Sequence, residues 1–239
     1  MSSLADPFAR ALCAAVTEVG PHELTWIGDP ERIAAMQRGG ADIGWVCGLL
    51  YLSLKAEGPW PFTPLAAPVM AADRYRGRPV YFGDVVVAAG SELTTFESLA
   101  GTVFAYNETA SWSGCRMMAD RLASRGRDLG WFGARVESGS HLASIDLVAS
   151  GTASCAVIDS TVLEMAGRAG VDVRGIRVID HLGPYPAPPF LIHEAIPDAI
   201  RRDVVQALEQ VASHGMVADW AVAAFAPVSG ATYARWVHS

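Results

Sequence analysis

Apolar residues at Leu4, Phe8, Leu12 and Val16 recur at helical spacing and predict an amphipathic helix that opens the chain, with Asp6 as its cap and Pro7 at its first position. Leu24 to Ile27 then reads as a short strand, and Pro30 to Arg38 as a helix with Ile33 and Met36 turned inward and Gly39-Gly40 at its end. Ala41 to Val46 reads as a buried strand that runs into a turn at Cys47-Gly48 and the apolar segment LLYLSL. Strand, helix, strand is the rhythm of an α/β sheet, a class in which ligands gather at the carboxyl ends of strands.

Residues 56–79 are rich in Pro, Gly and Ala, and the strand-like run Tyr81 to Ala89 follows them. A second rhythm starts near Glu97. It has strands at Val103 to Tyr106, around Val136 and at Ala153 to Ile158, and helices at Ser113 to Ser124, His141 to Ser150 and Ser160 to Ala169. Arg177 to Ile179 is apolar and extended. The segment HLGPYPAPPF after it is too rich in proline for a helix or a central strand. Two amphipathic helices, Pro197 to His214 and Met216 to Ala224, complete the pattern. The expectation is two α/β lobes, each a mixed sheet flanked by helices, with the second inserted into the first: residues 1–86 and 184–239 against residues 87–183.

At 239 residues, 51% hydrophobic and 18% charged, the chain has the composition of a compact globular protein rather than a disordered one. A net charge of -7 with no basic run makes nucleic acid an unexpected partner. A small anion is not excluded, because local N–H dipoles can outweigh a distant net charge. Cys13, Cys47, Cys115 and Cys155 lie far apart without metal-ligand spacing, so they read as buried thiols, and no metal or cofactor is expected. The N-terminal stretch lacks the charged and apolar regions of a signal peptide, and no apolar stretch approaches the ~20 residues that cross a bilayer.

The chemistry concentrates in YNETASWSGC, residues 106 to 115, where a strand ends and a helix begins. Hydroxyl residues there serve either as an N-cap or as an anion site, since both uses draw on the unpaired N–H groups and positive dipole of a helix start. Taken alone, the residues leave both readings open.

In their order along the chain, ADIGWVCGLLY, FESLAGTVFAYNETASWSG, SGSHLASIDLVASGTASCAVIDS and GPYPAPPFLI resemble the solute-binding proteins of phosphate, phosphite and phosphonate ABC transporters. The resemblance implies the type 2 periplasmic-binding fold, with two lobes around a ligand cleft, and a small oxyanion-bearing solute as ligand. It further implies a transporter permease as partner and a periplasmic location, with no covalent chemistry. The family motif N-D-P-x-S-T-S-G matches Asn107-Glu108-Thr109-Ala110-Ser111-Trp112-Ser113-Gly114, and so implies that Ser111 and Ser113 offer hydroxyls while Gly114 admits the anion to the backbone. The family's G-S-H matches Gly139-Ser140-His141, which places His141 on the anion. Asp159, after the apolar strand of AVIDS, matches an aspartate that faces the ligand. Being an acceptor when ionised, it favours a ligand with an acid proton or an amine. Tyr51 stands at the tyrosine of W-L-G-P-x-P-Y, and Tyr106 and Tyr185 are neighbouring aromatic candidates for ligand contact or for packing.

Three departures carry information. Trp112 stands where the family has Thr, replacing a hydroxyl by an aromatic face that suits an organic ligand or packs on the lobe. Cys47, Gly48 and Leu50 replace the small and proline residues before Tyr51. The chain also opens at a helix that the family precedes with a leader and a strand. The expectation is either a start upstream of Met1 or a shortened relative lacking that strand, acting in the cytoplasm as a ligand sensor. An enzyme on the same fold is the remaining alternative, with Asp159 and His141 as an acid and base pair.

Overall fold

The computed structural model describes residues 5–22, 31–168 and 170–234. Along the chain the elements begin with helices α1 (Ala5–Val19) and α2 (Glu31–Gln37), strand β1 (Ile43–Trp45), helix α3 (Gly48–Glu57) and strands β2 (Phe62–Met70), β3 (Val80–Ala88) and β4 (Val103–Tyr106). A helical run then opens with a π turn at Trp112–Arg116 and continues as α4 (Met117–Ala123). Next come β5 (Ala134–Glu137), α5 (His141–Ala149), β6 (Cys155–Asp159), α6 (Ser160–Arg168) and β7 (Ile176–Pro186). The chain closes with β8 (Phe190–His193), α7 (Asp198–Ser213), β9 (Val222–Pro227) and α8 (Gly230–Ala234). These elements form two compact units, one from Ala5–Val80 with Pro186–Ser239 and the other from Tyr81–Tyr185.

In the first unit the strands lie in the order β1-β8-β2-β9, and each described pairing is antiparallel. Phe8, Leu12 and Val16, one turn apart, are all buried on α1, which packs on α7 with its own buried Val204, Leu208 and Val211. Met36, Val46, Tyr51, Phe62, Leu191 and Tyr233 make a core cluster where α2, α3 and α8 meet the sheet. The second unit has the order β5-β4-β6-β3-β7. β4 runs parallel to β5 and β6, while β3 is antiparallel to β6 with Gly83 opposite Asp159. The parallel set explains the site: the carboxyl ends of β4, β5 and β6 lie along one edge, and each leads into a helix start.

Several expectations change. The strand expected at Leu24 to Ile27 lies outside the described residues. Ala5, Asp6 and Pro7 are all helical in α1, so Asp6 is not its cap nor Pro7 its first position. The Cys47-Gly48 turn is a helix start, with the Cys47 Sγ accepting the Leu50 N–H, and the strand before it shortens to three residues. Residues 62–70 form an interior strand despite Pro64 and Pro68, and the register slips at Pro64/Ala66, a bulge where a missing N–H is tolerated. The helix expected at Met216 to Ala224 is instead a short 3-10 turn followed by β9, which pairs with β2 from Ala66↔Pro227 to Met70↔Val222. Ala221, at φ 61, breaks the helical path between them. HLGPYPAPPF continues β7 as far as Pro186, at the outer edge of its sheet, and Phe190 starts β8.

Candidate functional site

The site is built at three strand-to-helix junctions of the second unit. After β4, Ser111 holds an extended backbone (φ -68, ψ 128) and its Oγ accepts the Gly114 N–H at 3.2 Å. The turn that follows closes through N–H to C=O bonds five residues apart, from Arg116 to Ser111 at 3.0 Å and from Met117 to Trp112. The helix expected from Ser113 therefore begins one residue earlier and with a wider turn, a distortion that recurs at functional positions. After β5, the Ser140 Oγ caps α5 by accepting the Ala143 N–H at 3.1 Å. After β6, Asp159 Oδ1 accepts both the Thr161 N–H (2.8 Å) and the Thr161 hydroxyl (2.7 Å).

Two of these junctions are joined directly. Ser113 Oγ lies 3.1 Å from His141 Nε2, and the Asn107 carbonyl accepts the Gly139 N–H at 2.9 Å. The π turn also packs on β6, whose end carries Asp159. Ser111, Ser113, His141, Asp159, Ser160 and Thr161 are all buried. Gly114 has no room for a side chain. A Cβ there would overlap the Asn107 side-chain oxygen and lie 3.3 Å from His141 Cε1.

Burial sets the electrostatics. It pushes the His141 imidazole down to about 4, against a weaker upward pull from the Val157 carbonyl, so the ring is neutral near pH 7. Its Nδ1 is sealed from solvent and makes no hydrogen bond of ordinary geometry among the described residues. Burial likewise raises the Asp159 carboxyl to about 6; the Thr161 hydrogen bonds oppose this and the charge of Asp84 adds to it. Asp84, on β3, is itself buried and pairs with His181 Nδ1 at 2.7 Å. Near neutrality the junctions thus present hydroxyls, helix-start N–H groups, a neutral imidazole and one carboxylate held close to its protonation point. That set suits an oxyanion accompanied by a hydrogen-bond donor. Among the described residues no group of His, Cys, Asp and Glu has the arrangement of a metal site.

Of the residues expected from sequence, Ser111, Trp112, Ser113, Gly114, His141 and Asp159 all lie at these junctions. Trp112 is buried, and its indole meets the Tyr185 ring edge to face at 5.3 Å and 82°. Tyr185 is partly exposed, and burial raises its phenol, with Asp120 adding to the effect. Tyr106 ends β4, but its ring stacks on Phe104 at 6.1 Å, and Phe104 stacks in turn on Phe132, so it belongs to an aromatic row. Desolvation and, after it, the neighbouring Glu137 raise its phenol. Tyr51 is in the core of the first unit, 1% exposed and edge to face with Tyr233 at 5.9 Å. Sequence reasoning passed over Asn107 and Thr161. The signal for Asn107 was its place as the first residue after β4, and for Thr161 the Asp-x-Thr spacing of a capped helix start.

Comparison with known proteins points the same way. A family model described as the periplasmic substrate-binding protein of phosphonate ABC transporters matches residues 3–233. The chain is similar to the binding protein component of an ABC phosphonate transporter from Pseudomonas aeruginosa, with a TM-score of 0.78 and 16% identity over 98% of this chain and 80% of that one. It is similar to PhnD1 from Prochlorococcus marinus, solved in complex with methylphosphonate, with a TM-score of 0.78 and 15% identity over 97% and 90% of the two chains. A more distant likeness is the alkanesulfonate-binding protein of Xanthomonas axonopodis pv. citri bound to MOPS, at a TM-score of 0.58 and 16% identity over 90% and 75%.

Proposed function

The chain belongs to the family of periplasmic substrate-binding proteins of phosphonate ABC transporters, and from that premise we propose that it binds a small organophosphonate at the three helix starts of its second unit. The fold is the type 2 periplasmic-binding fold, and the family consists of transporter binding proteins rather than enzymes. The observation that carries the ligand assignment is the joining of two helix starts through Ser113 and His141, 3.1 Å apart and both buried, with Asp159 ending the adjacent strand. Hydroxyl and N–H donors take the oxyanion, and Asp159 takes a donor on the ligand, an acid proton or an amine.

Trp112 favours a phosphonate with an organic substituent over bare phosphate, because the indole offers area and no hydroxyl to an anion oxygen. The permease of such a transporter is the partner this function implies, and the periplasm is the corresponding location. Calorimetric titration with methylphosphonate, 2-aminoethylphosphonate, phosphite and phosphate tests the proposal. The organic phosphonates are expected to bind at least ten-fold more tightly than phosphate, a difference of about 1.4 kcal/mol. Heats indistinguishable from dilution for all four would refute the ligand class.

A further inference from the structure

Asn107 is the residue at this site whose chemistry is not yet accounted for. It is 8% exposed. Its backbone is committed, since its carbonyl accepts the Gly139 N–H and so links the end of β4 to the start of α5. Its side-chain amide is not: Oδ1 is sealed from solvent without a hydrogen-bond partner, whereas Nδ2, with no hydrogen bond among the described residues, keeps contact with solvent. A buried, unpartnered amide oxygen carries an uncompensated desolvation cost, so its placement calls for a use of the group.

The position of Oδ1 indicates that use. It lies on Gly114 along the direction in which a Cβ would leave the backbone, over one of the glycine's Cα–H bonds. That contact is a weak C–H···O interaction, attractive for the oxygen and repulsive for an N–H, so it fixes which end of the amide faces the turn. With the oxygen docked, the –NH₂ end turns away from the Gly114 backbone. The Asn107 side chain and the Ser113–His141 pair meet at the same glycine, since a Cβ on Gly114 would overlap Asn107 Oδ1 and lie 3.3 Å from His141 Cε1.

We propose that the Asn107 side-chain amide is a further donor to the bound anion, oriented by its own oxygen against Gly114. The inference rests on the phosphonate-binding reading above. An amide N–H joins the hydroxyls of Ser111 and Ser113 as a donor, and the group brings no charge. An aspartate of the same shape at this position would face the anion with a carboxylate and repel it.

The test uses the full chain labelled with ¹⁵N, methylphosphonate as probe, and N107D, which keeps the side chain's shape and removes its donors. The Asn107 –NH₂ resonances are assigned by their disappearance in N107D. They are expected to shift on titration of the wild-type protein, with one amide proton moving downfield as it bonds the anion, and N107D is expected to bind at least ten-fold more weakly. A wild-type protein that binds methylphosphonate while these resonances stay in place overturns this inference and leaves the functional reading intact. So does an N107D affinity within about two-fold of wild type. A wild-type protein that binds none of the four titrated anions overturns both. If N107D fails to fold, through-bond triple-resonance experiments on the wild-type protein assign the same –NH₂ resonances and these decide alone, and a packing role for the amide would not give one of its protons a bonding shift.

Discussion

At the scale of single residues, burial makes Asp159 and His141 oppose each other in acid. The Asp159 carboxyl is raised from 3.8 to about 6, so its contribution to stability is fully present below 3.8 and is lost as pH rises through about 6. The His141 imidazole is lowered from 6.5 to about 4, so its contribution is present above 6.5 and is lost as pH falls through about 4. Each shift corresponds to about 3 kcal/mol between the two limits. D159N keeps a capping side chain. Relative to wild type it is expected to be more favourable at pH 7.5 than at pH 4 by about 2 to 3 kcal/mol, and H141N should show the reverse. Urea denaturation at the two pH values measures both, and a difference that does not move with pH would mean that the group is solvated. Trp112 poses a different question, because its contact with Tyr185 is compatible both with packing and with a wall of the ligand site. W112T should cost about 2 to 4 kcal/mol of stability as a large-to-small change. It should also tilt the preference toward phosphate and away from methylphosphonate, by at least ten-fold in the ratio of the two dissociation constants. A ratio within about two-fold of wild type, read by calorimetry, would leave the indole with packing alone.

At the scale of elements, the decisive one is the turn from Ser111 to Met117. Ordinary spacing in this stretch reads as an α-helix, and its apolar residues Met117, Met118 and Leu122 are indeed buried as helix residues are. The extra residue in the turn was not legible, because a π turn has no composition of its own. At this turn the Asn107 side chain lies against Gly114, whose N–H the Ser111 Oγ accepts. G114A tests how tightly the turn is held. Its Cβ would meet the Asn107 oxygen, so the turn or the amide must move, with a cost of about 1 to 3 kcal/mol from overpacking and a loss of at least ten-fold in affinity for every anion that binds. Retained affinity would show that the turn adapts without consequence for the ligand. The misread strand β9 has a separate cause. Ala-rich residues 216–224 have good helix propensity, but propensity is worth only tenths of a kcal/mol per residue, and pairing with β2 outweighs it.

At the scale of the molecule, a bound phosphonate should protect the three junctions together although they are far apart in sequence. Hydrogen exchange with saturating methylphosphonate is expected to slow amides at 111–117, 140–144 and 159–163 while leaving α7 and β9 unchanged. Protection confined to one stretch would mean that the junctions do not act as one site. A ligand at 100 times its dissociation constant stabilises by about 2.7 kcal/mol, enough for that protection to be measurable. The sequence by itself determined the class of fold and named the candidate residues of the site. Periodicity marked strands and helix starts such as Val103 to Tyr106 and His141, while hydroxyl residues after apolar runs marked the junctions, because both signals are local. Tertiary structure alone decided which candidates come together. Tyr51 carries the family's tyrosine signature, yet its ring lies in the core of the first unit against Tyr233, since a phenol's surroundings depend on elements distant in sequence. Asn107 matched the family motif without a role of its own, and only the folded chain returns Gly114 and His141 to its side. The parallel pairing of β4 with β5 and β6, a long-range hydrogen-bond pattern invisible to any window of sequence, is what brings their ends to one edge.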